Sequence, residues 1–418
     1  MKEIRSVKEQ YQIKDACLKE RLELILPKVM KKYDVDMWIS ASKEYNEDPL
    51  FHAITPANYP TARRISLFAF VKEGDNIHRF SLCMPSEELA PYYTSYWTDF
   101  NNEDQMACLN RLCKEYDPQT IAVNVSNNFA FSDGLTQGLY EMITAKMAPE
   151  YAERIVRNDM LAIKLMELRT PLELELHPEV MEVAFSVIEE AFSSKSIIPG
   201  VTTCEDLQWL MMQRVKDLGL DYWFEPTVDL QRPGLDNPRY FGVIEKGDLL
   251  HCDFGIKYLN ICTDTQRLAY IAKDDEESIP QELLDGMKVN DRFQDIVAEN
   301  MADGKSGNDV LIDSLKQGKD EGIEAVLYSH PCNIYGHGPG TTIGLWNNQK
   351  AIPVKGDVLM SYDTTYALEL NTKSKAFGQD YYFYTEETVA FTRDGLIYLH
   401  PGLSLIHISE PTRPLYIS

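Results

Sequence analysis

His251-Cys252-Asp253-Phe254-Gly255-Ile256-Lys257-Tyr258-Leu259-Asn260-Ile261-Cys262-Thr263-Asp264-Thr265-Gln266-Arg267 is a largely apolar stretch, broken near its middle, with one aspartate on each side of the break. Read as two strands joined by a turn near Tyr258 and Leu259, it folds so that Asp253 and Asp264 oppose each other. Directly opposed residues of an antiparallel pair have Cβ atoms about 5 Å apart and share a face. Two unit charges about 4 Å apart repel by roughly 4 kcal/mol at an effective dielectric near 20. A bound cation is the natural compensation. A register in which one or both aspartates face water is the other reading, and this stretch alone leaves the two open.

Working outward, the segments 248–254, 260–272, 357–362, 366–370 and 381–392 carry strand patterns. Ahead of them Met181, Ala184, Phe185, Ile188, Ala191 and Phe192 recur at helical spacing until Ile198-Pro199-Gly200. Thr203 then stands three residues before Asp206 as an N-cap for a second helix, ended by Gly219. Helices followed by antiparallel strands imply an α+β domain. From about residue 10 to 160, apolar runs at 66–71 and 120–125 alternate with helical stretches at 18–33 and 104–116, the pattern of an α/β domain. The expected division is 1–160, 161–402 and a tail at 403–418 that is non-native or disordered. That tail, Ser404-Leu405-Ile406-His407-Ile408 onward, breaks the strand pattern and reads like translated adapter sequence, so His407 carries no functional weight.

Composition agrees with two domains: 418 residues exceed one ordinary core, and 44% hydrophobic with 25% charged is the balance of a folded soluble chain. A net charge of −24 argues against nucleic acid or an anionic membrane as partner. Eight scattered cysteines without CxxC pairs read as reduced packing groups. No apolar run of about eighteen residues and no signal-peptide opening are present, so a cytoplasmic location is expected. The charged segments 273–277 and 303–309 read as solvated surface.

Three more residues bear on the aspartates. His337 lies in Gly336-His337-Gly338-Pro339-Gly340, where bare backbone allows close approach to a ligand. Glu369 is a carboxylate inside the apolar run Tyr366-Ala367-Leu368-Glu369-Leu370. In Thr385-Glu386-Glu387-Thr388-Val389, alternation lets only one of the two glutamates point inward. Each of these alone is weak.

Together the five resemble the pita-bread metallopeptidase superfamily of aminopeptidase P, prolidase, methionine aminopeptidase and creatinase, closest to its Xaa-Pro peptidases. That family carries two aspartates eleven residues apart, a histidine in a glycine-rich segment, a glutamate some thirty residues later and a closing glutamate before a small-apolar strand. Asp253, Asp264, His337, Glu369 and Glu386 match in order. The resemblance covers about residues 160 to 400. It implies a pita-bread α+β catalytic domain behind a smaller N-terminal creatinase-like α/β domain, and a homodimer.

It also implies two divalent metal ions held by those five residues, manganese first and cobalt, iron or zinc as alternatives, in keeping with four carboxylates and one imidazole. Such a pair activates a water, with Glu369 taking its proton. The implied substrate is a peptide with proline second from the amino end.

The match has departures. Where the family's aminopeptidases have a histidine seven residues past the ligand histidine, this chain has Gly344, and the segment Phe224 to Arg239 lacks another family histidine. Those groups usually bond the substrate carbonyl and oxyanion; His330 is the candidate catalytic replacement. An alternative alignment to the HGxxH form of aminopeptidase P puts Thr341 at the ligand position and leaves His337 accessory. Arg267 is read as support for the strand of Asp264, and Gln266 stands where the family often has threonine. A creatinase-like C–N hydrolase and a catalytically silent binding protein are the competing readings.

Overall fold

The computed structural model describes residues 3–235, 237–400 and 405–408, with residue 407 described by its backbone alone. Two compact units emerge, one spanning Arg5–Glu173 and the other beginning at Leu174.

The N-terminal unit is built on a six-stranded mixed sheet. Its strand Met37–Lys43 pairs antiparallel with Ile65–Glu73 and parallel with Ile121–Val123. Met37, Ile39 and Ala41 alternate onto one face with Leu67, Ala69 and Val71, and Leu109, Leu112, Leu139 and Ile143 cover them. The helix Gln105–Tyr116 starts where Asp104 accepts from the amides of Met106 and Ala107, and stops at left-handed Asp117. A helical run from Val7 to Lys32 is widened by one π turn at Arg21–Ile25, within which Arg21 is buried.

In the second unit the helix Cys204–Asp217 has the capping box read from Thr203 and Asp206. The sheet behind the site orders Glu324–Leu327, Thr364–Ala376, Gln379–Thr392, Thr265–Ile271, Leu249–Phe254 and Thr227–Gln231, each antiparallel to the next. Alternation decides its faces: Tyr366, Leu368 and Leu370 pack with Phe293, Ile296 and Val297 of the helix Gln281–Asn300, which turns Glu369 to the other side. Ser306 and Asp309, in a segment expected to be solvated surface, form the capping box of the helix Gly307–Asp320.

Two expectations need correction. Residues 357–362 form no strand beyond an isolated bridge between Leu359 and Ser306. Asp357 accepts from Val354 N at 2.9 Å and from Asn308 Nδ2 at 2.8 Å, side-chain bonds that hold a turn instead. The hairpin of Asp253 and Asp264 turns one residue later than expected: Leu259 and Asn260 take the two left-handed positions, with φ of 55° and 61°, as a tight two-residue hairpin turn requires. Tyr258 then pairs with Ile261, and Asp253 pairs with Gln266 rather than Asp264. The pairing has slipped by two, an even number, so both aspartates stay on one face.

Gln379–Thr392 pairs with Thr265–Ile271 only at Gln266↔Glu386, leaving the edge beyond open. Leu405–Ile408 fills it as a parallel strand, from Leu268↔Leu405 to Ile271↔Ile408. The expected tail therefore contains a paired strand; residues 401–404 and 409–418 lie outside the described residues.

Candidate metal centre

Registers across four adjacent strands put Asp253, Gln266, Glu386 and Glu369 in one row. Directly paired residues share a face, so this row is a strip of acids broken by one amide. Asp264 joins it from two residues before Gln266. His330 enters from the short strand His330–Pro331, where it pairs with Ala367, two residues from Glu369.

The side chains converge. His330 Nε2 lies 3.5 Å from Asp264 Oδ2 and 3.9 Å from both Glu369 Oε2 and Glu386 Oε1. Three overlapping sets have ligand atoms within 4.8 Å of one another: Asp253, Asp264 and Glu386; His330, Glu369 and Glu386; Asp264, His330 and His337. The five residues expected as ligands and His330, the candidate catalytic replacement, all fall within these overlapping sets.

The electrostatics of the cluster are those of acids short of a cation. Burial, then neighbouring acids, push Asp264, Glu369 and Glu386 well above the usual carboxylate range. Burial also raises Asp253, to about 6, although His251 and Arg239 pull the other way. His330 is pushed down to about 3 by burial and then by His337, so the ring is neutral at pH 7. Its Nδ1 faces Pro331 O at 3.1 Å; a carbonyl only accepts, so Nδ1 carries the hydrogen and Nε2 presents a lone pair. That Nε2 and Asp253 Oδ1 are buried without a hydrogen-bond partner among the described residues. A lone pair aimed at carboxylates repels them until a cation lies between, and this hard, oxygen-rich donor set fits a divalent metal.

His337 is exposed, its ring edge-on to His330 at 4.6 Å and to Trp223 at 5.0 Å. The glycines around it serve packing: a Cβ on Gly336 would stand 2.1 Å from the Trp223 ring, and one on Gly338 2.4 Å from Asn333. Gly344 cannot carry the family's histidine, because its φ is +76° and a Cβ would meet Leu327 O at 2.2 Å. Thr341 is buried. Arg267 donates to Glu386 O at 3.0 Å and to Glu387 Oε2 at 2.7 Å. It thereby ties the strand of Asp264 to the strand of Glu386 and engages the glutamate that points away from the site.

Sequence reasoning missed Asp229, His251 and Gln266 as site components. His251 and Gln266 each lie two residues from an expected aspartate, hence on the same face, and that parity was the available signal.

The fold is a mixed one of sheets and helices, and it carries a cluster of acids and histidines able to hold a metal ion. The sequence profile described as metallopeptidase family M24 matches residues 175–390, and the chain belongs to that family. No curated protein matches the sequence. Among solved structures, the X-Pro aminopeptidase from Thermotoga maritima superposes with a TM-score of 0.64 at 14% identity, over 91% of this chain and 100% of that one. The Xaa-Pro dipeptidase from Bacillus anthracis gives 0.61 at 15% identity, over 94% and 100%. A dipeptidase from Pyrococcus horikoshii gives 0.59 at 16% identity, over 93% and 100%. At these identities the likeness is one of fold.

Proposed function

We propose that the chain is an Xaa-Pro aminopeptidase or dipeptidase that cleaves a peptide bond with water activated at a pair of divalent ions, manganese by preference. Asp253, Asp264, Glu369 and Glu386 hold the ions with His337, and His330 borders the same space. The observation that carries this reading is the unpartnered Nε2 of neutral His330 facing Asp264, Glu369 and Glu386 within 4 Å. Bound there, such ions supply Lewis acidity to water and to the scissile carbonyl. Glu369, which burial and then Asp253 raise well above the usual carboxylate range, takes the proton from the attacking water and passes it to the leaving amine. His330 stands beside Glu369 as a neutral ring whose Nε2 lone pair can join the ion's ligands or accept a substrate N–H, and it has no hydrogen there to give a carbonyl. Proline preference and a cytoplasmic homodimer belong to the proposal through the resemblance.

Elemental analysis of wild type and Asp264→Ala, with release of the first residue from an Xaa-Pro peptide after Mn²⁺ addition, tests it. Near two ions per chain, lost in the variant and accompanied by cleavage, is the expected result. Metal uptake without cleavage points to another substrate. The second reading, a creatinase-like C–N hydrolase, is favoured by Gly344, whose backbone excludes the family's histidine; guanidino and amide compounds are its screen. Tight peptide binding without metal would mark a silent binding protein.

A further inference from the structure

Behind Glu369 runs a buried polar chain that the resemblance does not supply. Gln266 Nε2 donates to Glu369 Oε1. Gln266 Oε1 faces His251 Nε2 at 3.0 Å, and His251 Nδ1 faces Asp229 Oδ2 at 3.1 Å. Arg239 closes the chain, donating to the same Asp229 oxygen from Nε at 2.8 Å and Nη2 at 2.6 Å. Gln266 and His251 are each 2% exposed and Asp229 is fully buried. Asp229, His251 and Gln266 come from three successive strands of the sheet, so their spacing is fixed by backbone pairing.

An amide has one accepting and one donating end. With its oxygen turned to His251, Gln266 can offer Glu369 only hydrogens. Glu369 Oε1 is thereby held, and Oε2 is the oxygen left facing His330 Nε2 at 3.9 Å. A threonine at 266 would lack the reach to do this from its own strand, because the strand of Glu386 lies between.

We propose that Gln266 is a positioning residue that selects which oxygen of Glu369 faces the metal and the substrate, and that Arg239, Asp229 and His251 anchor it. The inference rests on Glu369 being a metal ligand. Outer partners of this kind set ligand orientation, and their loss typically costs about 10–100-fold in metal affinity or activity.

The test uses the full chain stripped of metal and titrated with Co²⁺, read by calorimetry and by visible absorption. Gln266→Met is expected to bind as many ions as wild type, with affinity about 10–100-fold weaker, a changed absorption spectrum, and a fall in kcat larger than any change in KM. His251→Phe should behave alike, and His251→Gln, which keeps both polar ends, should recover most of the difference. Gln266→Thr repeats the measurement if the methionine variant does not fold. Wild type that takes up Co²⁺ while both Gln266 variants keep its spectrum and its affinity within about twofold overturns the positioning role alone. Wild type that takes up no Co²⁺ overturns the metal reading and this inference with it.

Discussion

Two of the places where this molecule buries carboxylates differ in sign. Glu173, at the end of the N-terminal unit, is 3% exposed. Arg21 Nη2 reaches both its oxygens at 2.5 Å, Arg169 Nη1 stands at 3.4 Å, and Thr170 N donates at 2.9 Å. Burial alone would raise Glu173, but Arg169 and Arg21 outweigh it and hold the carboxyl below its usual range. At the candidate metal centre Asp264 and Glu386 are as deeply placed, yet burial raises all four acids, and neighbouring acids push Asp264, Glu369 and Glu386 further. Nearby Arg239 is committed to Asp229. A buried acid whose cation is encoded in the chain is architecture; a group of buried acids without one is a site completed from solution.

The sharpest way to break this contrast is to remove the encoded cation. Arg21→Met leaves Glu173 buried and short of its closest partner, and should cost about 3–5 kcal/mol in urea unfolding followed by the fluorescence of buried Trp38; a loss below about 1 kcal/mol would erase the distinction. Mn²⁺ at a hundred times its dissociation constant should stabilise wild type by about 2.7 kcal/mol, reversed by EDTA, whereas an unchanged melting temperature would deny the site its cation.

The pH responses should oppose each other. Glu173 is lowered on folding, so its contribution is present above about pH 4.5 and lost as pH falls. Asp253 is raised to about 6, so stability from its site is complete below about pH 4 and lost as pH rises through 6. Metal-free protein should therefore melt lower at pH 8 than at pH 5, by about 1.4 kcal/mol in stability from Asp253 alone, and Mn²⁺ should remove the difference. The smallest effect is expected from Asp264→Asn: metal uptake lost, but metal-free stability raised by about 1–2 kcal/mol through relief of repulsion. A metal-free variant less stable than wild type would show that the acids are not in conflict.

Much of this was legible in the sequence, for reasons that also mark where reading stops. Asp253, Glu369 and Glu386 interrupt apolar strand patterns, and alternation alone sends Glu369 away from Leu368 and Leu370. The hairpin of Asp253 and Asp264 survived a misplaced turn because the error was even. Residues 357–362 misled because Asp357 and Asn308, distant in sequence, set a turn there. The positions of His330 and His337 against the acids depend on Trp223 filling the space over Gly336, a contact between segments more than a hundred residues apart that no local pattern announces. The anchoring of Gln266 by His251 and Asp229 has the same origin, since it needs three strands in register before any of its bonds exists.

The long hairpin that carries Glu369 and Glu386 turns at Phe377 and Gly378, and the two glutamates face each other across its ladder. Nothing in that pairing depends on how far the arms extend beyond them. An ancestor or descendant may add or delete residues at the tip freely, provided both arms change by the same number, while a single unmatched insertion between Glu369 and the turn would shift one acid against the other. Distance counted along the chain is thus a poor guide to remote kinship here; equality of the two arms is the inherited quantity.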